Sequence, residues 1–221
     1  MTIRHKLHAT ILSLALAAGA VTVSAAVASA APVANPGPSI EATGSDALAG
    51  YANAALEQWS AYSISGSRKD LVAFDDTRNA VAAEAASRLG LDPVAMQAAW
   101  SKADVAHQTA LMAAFTQLGT RYKAYKATPG VGFDCSGLTS WAWAQASVSI
   151  FHQSRTQINN ARAVTRETAQ AGDLVYYPGH VMMYLGIDNA IIHAPNTGRS
   201  VEVSFVAKRR VNSVRFGDPT T

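Results

Sequence analysis

The spacing of apolar residues changes near Gly119, and this change constrains the fold more than any other feature of the chain. Between residues 45 and 118, apolar side chains recur at intervals of three and four, as in helices with one buried face. Beyond Gly119 they fall in short strand-like segments, at 174–177, 181–187, 190–193, 201–203 and 211–216. A run of helices followed by a run of strands predicts an α+β fold with an antiparallel sheet.

Residues that stop or start helices divide the helical part into four segments. Ser45 is placed to cap the first helix, and Gly90 follows the last apolar position of the second. Asp92 and Pro93 suit the cap and first turn of a third helix, and Asp104 is placed to cap the fourth. A further helix is predicted at 136–146, with Trp141 in the core and Trp143 nearer the rim.

The first 44 residues have the composition of an export signal and a linker. Residues 1–30 carry Arg4 and Lys6 before an apolar stretch that ends in Ala28-Ser29-Ala30, an arrangement typical of a cleaved signal peptide. The alternative is an uncleaved anchor. Residues 31–44 are rich in Pro and Gly and predict a flexible linker. We therefore expect a secreted, extracellular or wall-associated protein without stable membrane insertion.

The charge is distributed unevenly along the chain. The formal charge of +3 falls to about +1 without Arg4 and Lys6, but residues 41–118 hold five Lys or Arg against nine Asp or Glu. Residues 119–221 hold eleven against six. A basic surface suits a polyanionic partner. For an exported chain we expect an anionic wall polymer, with no nucleic-acid partner.

Cys135 is the only cysteine, so no internal disulfide can form. It lies in a block, 132–138, that reads Gly-Phe-Asp-Cys-Ser-Gly-Leu and opens the helix predicted at 136–146. Backbone N–H groups and the positive dipole end at a helix N-terminus stabilise a thiolate, so the position favours a nucleophile. The alternative is a buried, unreactive thiol.

Two histidines suit the role of partners to this thiol. His180 begins one predicted strand and His193 ends the next, so a hairpin would bring them together. His180 would then be the general base, and His193 would fix its tautomer. We expect His152 in a groove or at the surface, and His107 at the surface.

Three blocks resemble the NlpC-type cell-wall peptidases of the papain-like superfamily. They are residues 133–138, the stretch Ala171-Gly172-Asp173-Leu174-Val175 leading to Gly179-His180-Val181, and Ile192-His193-Ala194-Pro195. The likeness covers about residues 104–217, which we assign to a catalytic domain. Residues 45–103 would be a preceding helical segment, and 218–221 a tail.

The resemblance implies a cysteine peptidase, a hydrolase with a Cys-His-His site. Such an enzyme cleaves peptidoglycan stem peptides, usually between D-γ-glutamate and diaminopimelate. It also implies that Tyr122 supports the site with a hydrogen bond and that Asp134 and Ser136 flank the substrate. No cofactor and no metal are expected, and we expect a monomer. The sequence departs from the family pattern after Tyr122 and at Phe151-His152, which leaves the substrate preference open.

Other functions remain compatible with these residues. Cys135, His180 and His193 could bind a catalytic zinc ion. The protein could be an N-acetylmuramoyl-L-alanine amidase, or a wall-binding module without turnover, because the motif does not fix the bond. The acidic segment 45–103 could also cover the basic catalytic half.

Overall fold

The computed structural model describes residues 43–220, which form helices α1–α6 and strands β1–β8. The signal peptide expected at 1–30 and most of the linker expected at 31–44 lie outside these residues. The helices are Ala47–Ser65 (α1), Arg68–Leu89 (α2), Pro93–Lys102 (α3), Val105–Phe115 (α4), Cys135–Gln145 (α5) and Ser154–Asn160 (α6). The strands are Ala127–Thr128 (β1), Gly132–Phe133 (β2), Arg162–Val164 (β3), Leu174–Tyr177 (β4), His180–Tyr184 (β5), Ala190–His193 (β6), Glu202–Phe205 (β7) and Arg215–Asp218 (β8).

The first three helices begin and end close to the predicted residues. Gly66 and Gly90 end α1 and α2 in the left-handed conformation, with φ of 62° and 66°, which glycine adopts at little cost. Asp92 caps α3 by accepting a hydrogen bond from the Val94 amide at 2.9 Å. The prediction that Ser45 caps α1 is wrong. The cap is Asp46, whose carboxylate accepts from the Leu48 amide at 2.8 Å.

Six strands form one antiparallel sheet in the order β3-β8-β4-β5-β6-β7. The last strand of the chain, β8, lies between β3 and β4. Strands β4, β5 and β6 are consecutive hairpin neighbours at the centre of the sheet. The mixed helix and antiparallel-sheet architecture, preceded by helices, confirms the α+β prediction.

The β4–β5 hairpin has a two-residue turn, Pro178-Gly179. Gly179 has a φ of 91°, a conformation that L-residues with side chains rarely adopt. The turn makes Tyr177 and His180 the last cross-strand pair of the hairpin. It therefore holds His180 at one end of the central sheet.

Helix α4 is buried along most of its length, and this overturns the prediction that His107 lies at the surface. All residues from His107 to Phe115 are buried, because α4 packs against both α1 and α5. His107 Nε2 lies 2.9 Å from Asp173 Oδ1, and the ring meets Trp143 edge-to-face with centroids 4.8 Å apart. Trp143 is thus fully buried and Trp141 only half-buried, the reverse of the prediction.

The segment before α4 shares one apolar core with the sheet. Trp100 of α3 is 1% exposed, and its indole N–H donates to the Leu185 carbonyl at 2.9 Å. Leu185 follows the last residue of β5, whereas His180 begins that strand. Because a strand rises about 3.3 Å per residue, this contact lies roughly 16 Å along the strand from His180. The domain boundary at residue 104 stays a prediction.

Among residues 43–220, no helix combines the length and apolarity that crossing a bilayer requires.

Candidate active site

Cys135 is the first residue of α5, and its half-buried sulfur lies beside the start of β5. The backbone of Val181 hydrogen-bonds to the sulfur, as do the amides of Cys135 and Ser136 at the helix N-terminus. Helix α5 packs against β5, so the thiol and the first residues of β5 lie at the same place in the fold. The sequence-predicted nucleophile and base are thereby brought to one region of the molecule.

Asp134 fixes the backbone around the thiol. As N-cap of α5, its Oδ1 accepts from the Gly137 amide at 2.7 Å and from the Ser136 hydroxyl at 3.2 Å. Oδ1 also lies 2.9 Å from His152 Nε2, and Oδ2 accepts from the Tyr125 amide at 2.8 Å. Both carboxylate oxygens are therefore engaged within the protein. The predicted contact of Asp134 and Ser136 with substrate stays a prediction.

Gly137 allows two neighbouring segments to approach this helix end closely. A methyl group at this position would lie 2.1 Å from the Lys126 carbonyl oxygen and 2.9 Å from His152 Nε2. Either distance is too short for non-bonded contact, so a larger residue would displace the loop or the imidazole. The requirement for glycine two residues after Cys135 thus has a steric cause.

The two predicted histidines meet directly. His180 Nε2 lies 2.8 Å from His193 Nδ1, and the rings are edge-to-face with centroids 5.1 Å apart. This contact leaves His180 Nδ1 as the nitrogen available to a reacting group. Among residues 43–220, the structure gives no hydrogen bond between Cys135 Sγ and the His180 ring.

Glu202 lies behind the histidine pair. It is the cross-strand neighbour of His193 in the β6–β7 pairing, and its Oε1 lies 3.5 Å from His193 Nε2. Arg199 forms an ion pair with the same carboxylate. His193 Nε2 is buried without a closer hydrogen-bond partner among the described residues. The site therefore contains, in spatial order, Cys135, His180, His193 and Glu202.

Two tyrosines lie within electrostatic reach of the thiol. Burial raises the pKa of Tyr122, and negative charge on Cys135 and Asp134 would raise it further. Burial also raises the pKa of Tyr177, as does negative charge on Cys135. The structure gives the Tyr122 hydroxyl no hydrogen bond within residues 43–220, and its supporting role stays a prediction.

Burial dominates the protonation of the thiol. It raises the pKa of Cys135 above the ordinary 9.0, and negative charge on Asp134 acts in the same direction. The hydrogen bonds from the backbone of Val181, Ser136 and Cys135 favour the thiolate but are the weaker influence. The helix N-terminus therefore opposes the effect of burial without outweighing it, and ionisation of this sulfur stays a prediction.

The two imidazoles are neutral at physiological pH for the same reason. Burial lowers the pKa of His180 to about 4. It lowers the pKa of His193 to about 3, with further lowering by the charges of His180 and Arg199. Burial thus favours the neutral form of the thiol and of both rings.

Two residues of the candidate site, Tyr177 and Glu202, were not predicted from the sequence. Tyr177 could have been found, since a two-residue turn at Pro178-Gly179 pairs it with His180. Glu202 could not, because residues 194–201 form a loop whose length does not fix the register of the two strands it connects. His152, expected in a groove or at the surface, lies next to Asp134, the N-cap of α5.

Comparisons with known proteins identify the family to which the chain is related. The NlpC/P60 family model matches residues 119–217. A Corynebacterium glutamicum protein named "Probable endopeptidase" is 34% identical over 189 residues, which cover 83% of this chain and 82% of that protein. This alignment is longer than the part of the chain that the family model matches.

Two other relatives each align over about a third of the chain. A Bacillus cereus gamma-D-glutamyl-L-lysine dipeptidyl-peptidase is 39% identical over 84 residues, which are 34% of this chain and 25% of that protein. The peptidoglycan endopeptidase RipA of Mycolicibacterium smegmatis is 39% identical over 80 residues, 34% of this chain and 16% of RipA. A solved NlpC/P60 protein from Bacillus cereus has 29% identity and a TM-score of 0.47, over 51% of this chain and 39% of that one.

An α+β fold with a cysteine at a helix start beside a histidine pair on an antiparallel sheet defines a papain-like class of site. The chain belongs to the NlpC/P60 family, which confirms the resemblance found in the sequence.

Proposed function

We propose that this protein is a secreted cysteine peptidase that hydrolyses peptidoglycan stem peptides. The observation that supports this most strongly is the thiol of Cys135 at the start of α5, beside the β5 strand whose first residue, His180, is held by His193 at 2.8 Å. Two relatives are named as a peptidoglycan endopeptidase and a dipeptidyl-peptidase, and these names support the same class of substrate.

Proton transfer accompanies attack in this mechanism, because the resting thiol and imidazole are both neutral. His180 Nδ1 takes the thiol proton as the sulfur attacks the scissile carbonyl carbon. For Nδ1 to accept, the proton of His180 must lie on Nε2, where it is donated to His193 Nδ1. His193 then carries its own proton on Nε2, facing Glu202.

The helix start supplies donors for the negative oxygen that forms during attack. The Gly137 and Leu138 amides are already bonded to Asp134, whereas the amides of Cys135 and Ser136 lie close enough to the sulfur to lower its pKa. These two N–H groups can stabilise the oxyanion of the tetrahedral intermediate. The imidazolium then protonates the leaving amine, and water hydrolyses the acyl-enzyme.

We place the cleaved bond between D-γ-glutamate and the diamino acid that follows it. The family resemblance supports this position, and so does the name of the Bacillus cereus relative, which specifies a γ-D-glutamyl bond. The N-acetylmuramoyl-L-alanine bond and binding without turnover remain outcomes of the test. The secreted location and the monomeric state are part of the same proposal.

Substitution of the two reacting groups tests the proposal. Cys135→Ala and His180→Ala should each reduce cleavage of purified muropeptides by at least about 1,000-fold, since each removes a group that the reaction needs. Lys102→Gln, remote from the site, is the control and should cleave normally. Activity near that of the unaltered protein in either site variant would exclude this mechanism.

Chelation separates the thiol mechanism from the zinc alternative. If Cys135 acts as the nucleophile, a chelator leaves cleavage unchanged and alkylation by iodoacetamide abolishes it. If Cys135, His180 and His193 bind zinc instead, chelation abolishes cleavage and added zinc restores it.

A further inference from the structure

A basic cluster lies beside Tyr177, whose ring also contacts the His180 ring. The 3-10 helix Lys208–Ser213 contains Lys208, Arg209 and Arg210 in succession. The Arg210 guanidinium lies over the Tyr177 ring, 5.1 Å from its centroid. Tyr177 in turn lies 5.4 Å from the His180 ring. Tyr177 therefore contacts both the Arg210 guanidinium and the His180 ring.

The position of Arg210 is fixed by contacts along its short helix. Its amide donates to the Ala207 carbonyl at 2.7 Å, and its carbonyl accepts from the Ser213 hydroxyl at 3.0 Å. Arg166 anchors the same helix by donating to the Val211 carbonyl at 2.8 Å. Because Tyr177 and the backbone restrain Arg210, its charge is presented at a defined place beside the site.

No acidic side chain of residues 43–220 neutralises this cluster. The arginines that do form ion pairs are Arg78, Arg88, Arg162 and Arg199. Arg210 and Arg209 both act electrostatically on Tyr177, whose pKa they lower against the effect of burial. Their field therefore extends to the ring that contacts His180.

We infer that Arg210, assisted by Arg209, recognises a carboxylate of the stem peptide close to the scissile bond. This inference rests on the proposed function. A peptide bond made through the γ-carboxyl of glutamate leaves the α-carboxylate of that residue free. The diamino acid on the other side of the bond carries a second carboxylate. Arginine binds carboxylates in a fixed two-point geometry that an amide does not reproduce. Arg210 would therefore make the enzyme selective for acidic over amidated stems.

Three synthetic peptides test this selectivity and identify the carboxylate. One has both carboxylates free, one has the glutamyl α-carboxylate amidated, and one has the carboxylate of the diamino acid amidated. The unaltered enzyme should have a kcat/KM lower by roughly tenfold or more for one of the amides, the loss expected for a charged hydrogen bond. The amide that loses activity identifies the group recognised.

Arg210→Gln should remove that preference by lowering kcat/KM for the peptide with both carboxylates free to about the value of the disfavoured amide. Arg210→Lys keeps the charge and should retain part of the preference, which separates recognition from a folding defect. Arg68→Gln removes an exposed arginine far along the chain in α2 and serves as the matched control. An equal loss for all three peptides in Arg210→Gln, or no loss for any, would overturn the inference.

A binding measurement separates this inference from the proposed reaction. Calorimetry with Cys135→Ala, with and without Arg210→Gln, reports carboxylate recognition in the absence of turnover. If the unaltered protein cleaves none of the peptides but Cys135→Ala prefers the free carboxylate through Arg210, the proposed reaction fails and the inference stands. If Cys135→Ala binds the free and amidated peptides alike, or binds none of them, the inference fails even where cleavage occurs.

Discussion

At the scale of single residues, the chemistry depends on burial more than on the helix N-terminus. The sulfur of Cys135 does receive backbone hydrogen bonds at the start of α5, as its position in the sequence predicted. The sequence could not show how far the thiol and the two imidazoles are withdrawn from water. Since each buried group favours its neutral form, the proposed reaction begins with a neutral thiol and a neutral imidazole.

The pH dependence of Cys135 alkylation follows from this neutral state. With the pKa of the thiol raised above 9.0, the rate of reaction with iodoacetamide should keep rising with pH through the neutral range, as thiolate is the reacting form. Free cysteine, measured in parallel, should level off at lower pH. A rate for Cys135 that is already constant from about pH 6 upward would instead indicate a preformed thiolate–imidazolium pair.

Cleavage itself should persist into acid. The base His180 must be neutral, and its pKa is lowered to about 4, so activity should fall only as pH drops through roughly 5 to 4. The control is Arg68→Gln, which should show the same profile. An acid limb near pH 6.5, the ordinary pKa of histidine, would contradict the burial of the imidazole pair.

At the scale of elements, the cap of α5 connects three segments to the thiol. Asp134 holds the helix amides, the Tyr125 backbone and His152 together. Tyr125 has a φ of 59°, an unfavourable conformation for a bulky residue that the hydrogen bond to Asp134 helps to maintain. The block 132–138 predicted the helix start, but the contact with His152 depends on long-range packing.

Replacement of this cap should cost more stability than replacement of a simple cap. Asp134→Ala removes acceptors for four groups, so we expect a loss of about 2–3 kcal/mol in the free energy of unfolding, measured with urea. Asp92→Ala, which removes one bond at the start of α3, should cost about 1 kcal/mol. Equal losses in the two variants would show that the additional contacts of Asp134 do not stabilise the protein.

At the scale of the whole molecule, α3 contacts the sheet just beyond the end of β5 that is remote from His180. Trp100 packs edge-to-face on Phe115, with centroids 5.1 Å apart, and bonds to Leu185. The periodicity of the sequence predicted these helices and their ends. It could not predict where they pack, because the order of strands and the burial of α4 are set by contacts between distant segments. The contacts of α3 favour a supporting role over a cover for the active site.

Removal of one contact between the helical segment and the sheet tests this role. Trp100→Ala should lower the free energy of unfolding by about 3–5 kcal/mol, as for other large buried aromatics, without raising kcat/KM of the folded protein. Val94→Ala alters an exposed residue of the same helix and should change stability by less than about 0.5 kcal/mol. A faster enzyme after Trp100→Ala, at unchanged stability, would favour a cover.

The proposed function depends on thiol-mediated hydrolysis of a stem peptide. The most direct measurement is mass spectrometry of products from a defined muropeptide digested in ¹⁸O-labelled water by the protein and by Cys135→Ala. We predict that the unaltered protein places ¹⁸O on the γ-carboxyl of D-glutamate and releases the diamino acid fragment, while Cys135→Ala gives no product. Label on the carboxyl of muramic acid, or equal products from Cys135→Ala, would contradict the account.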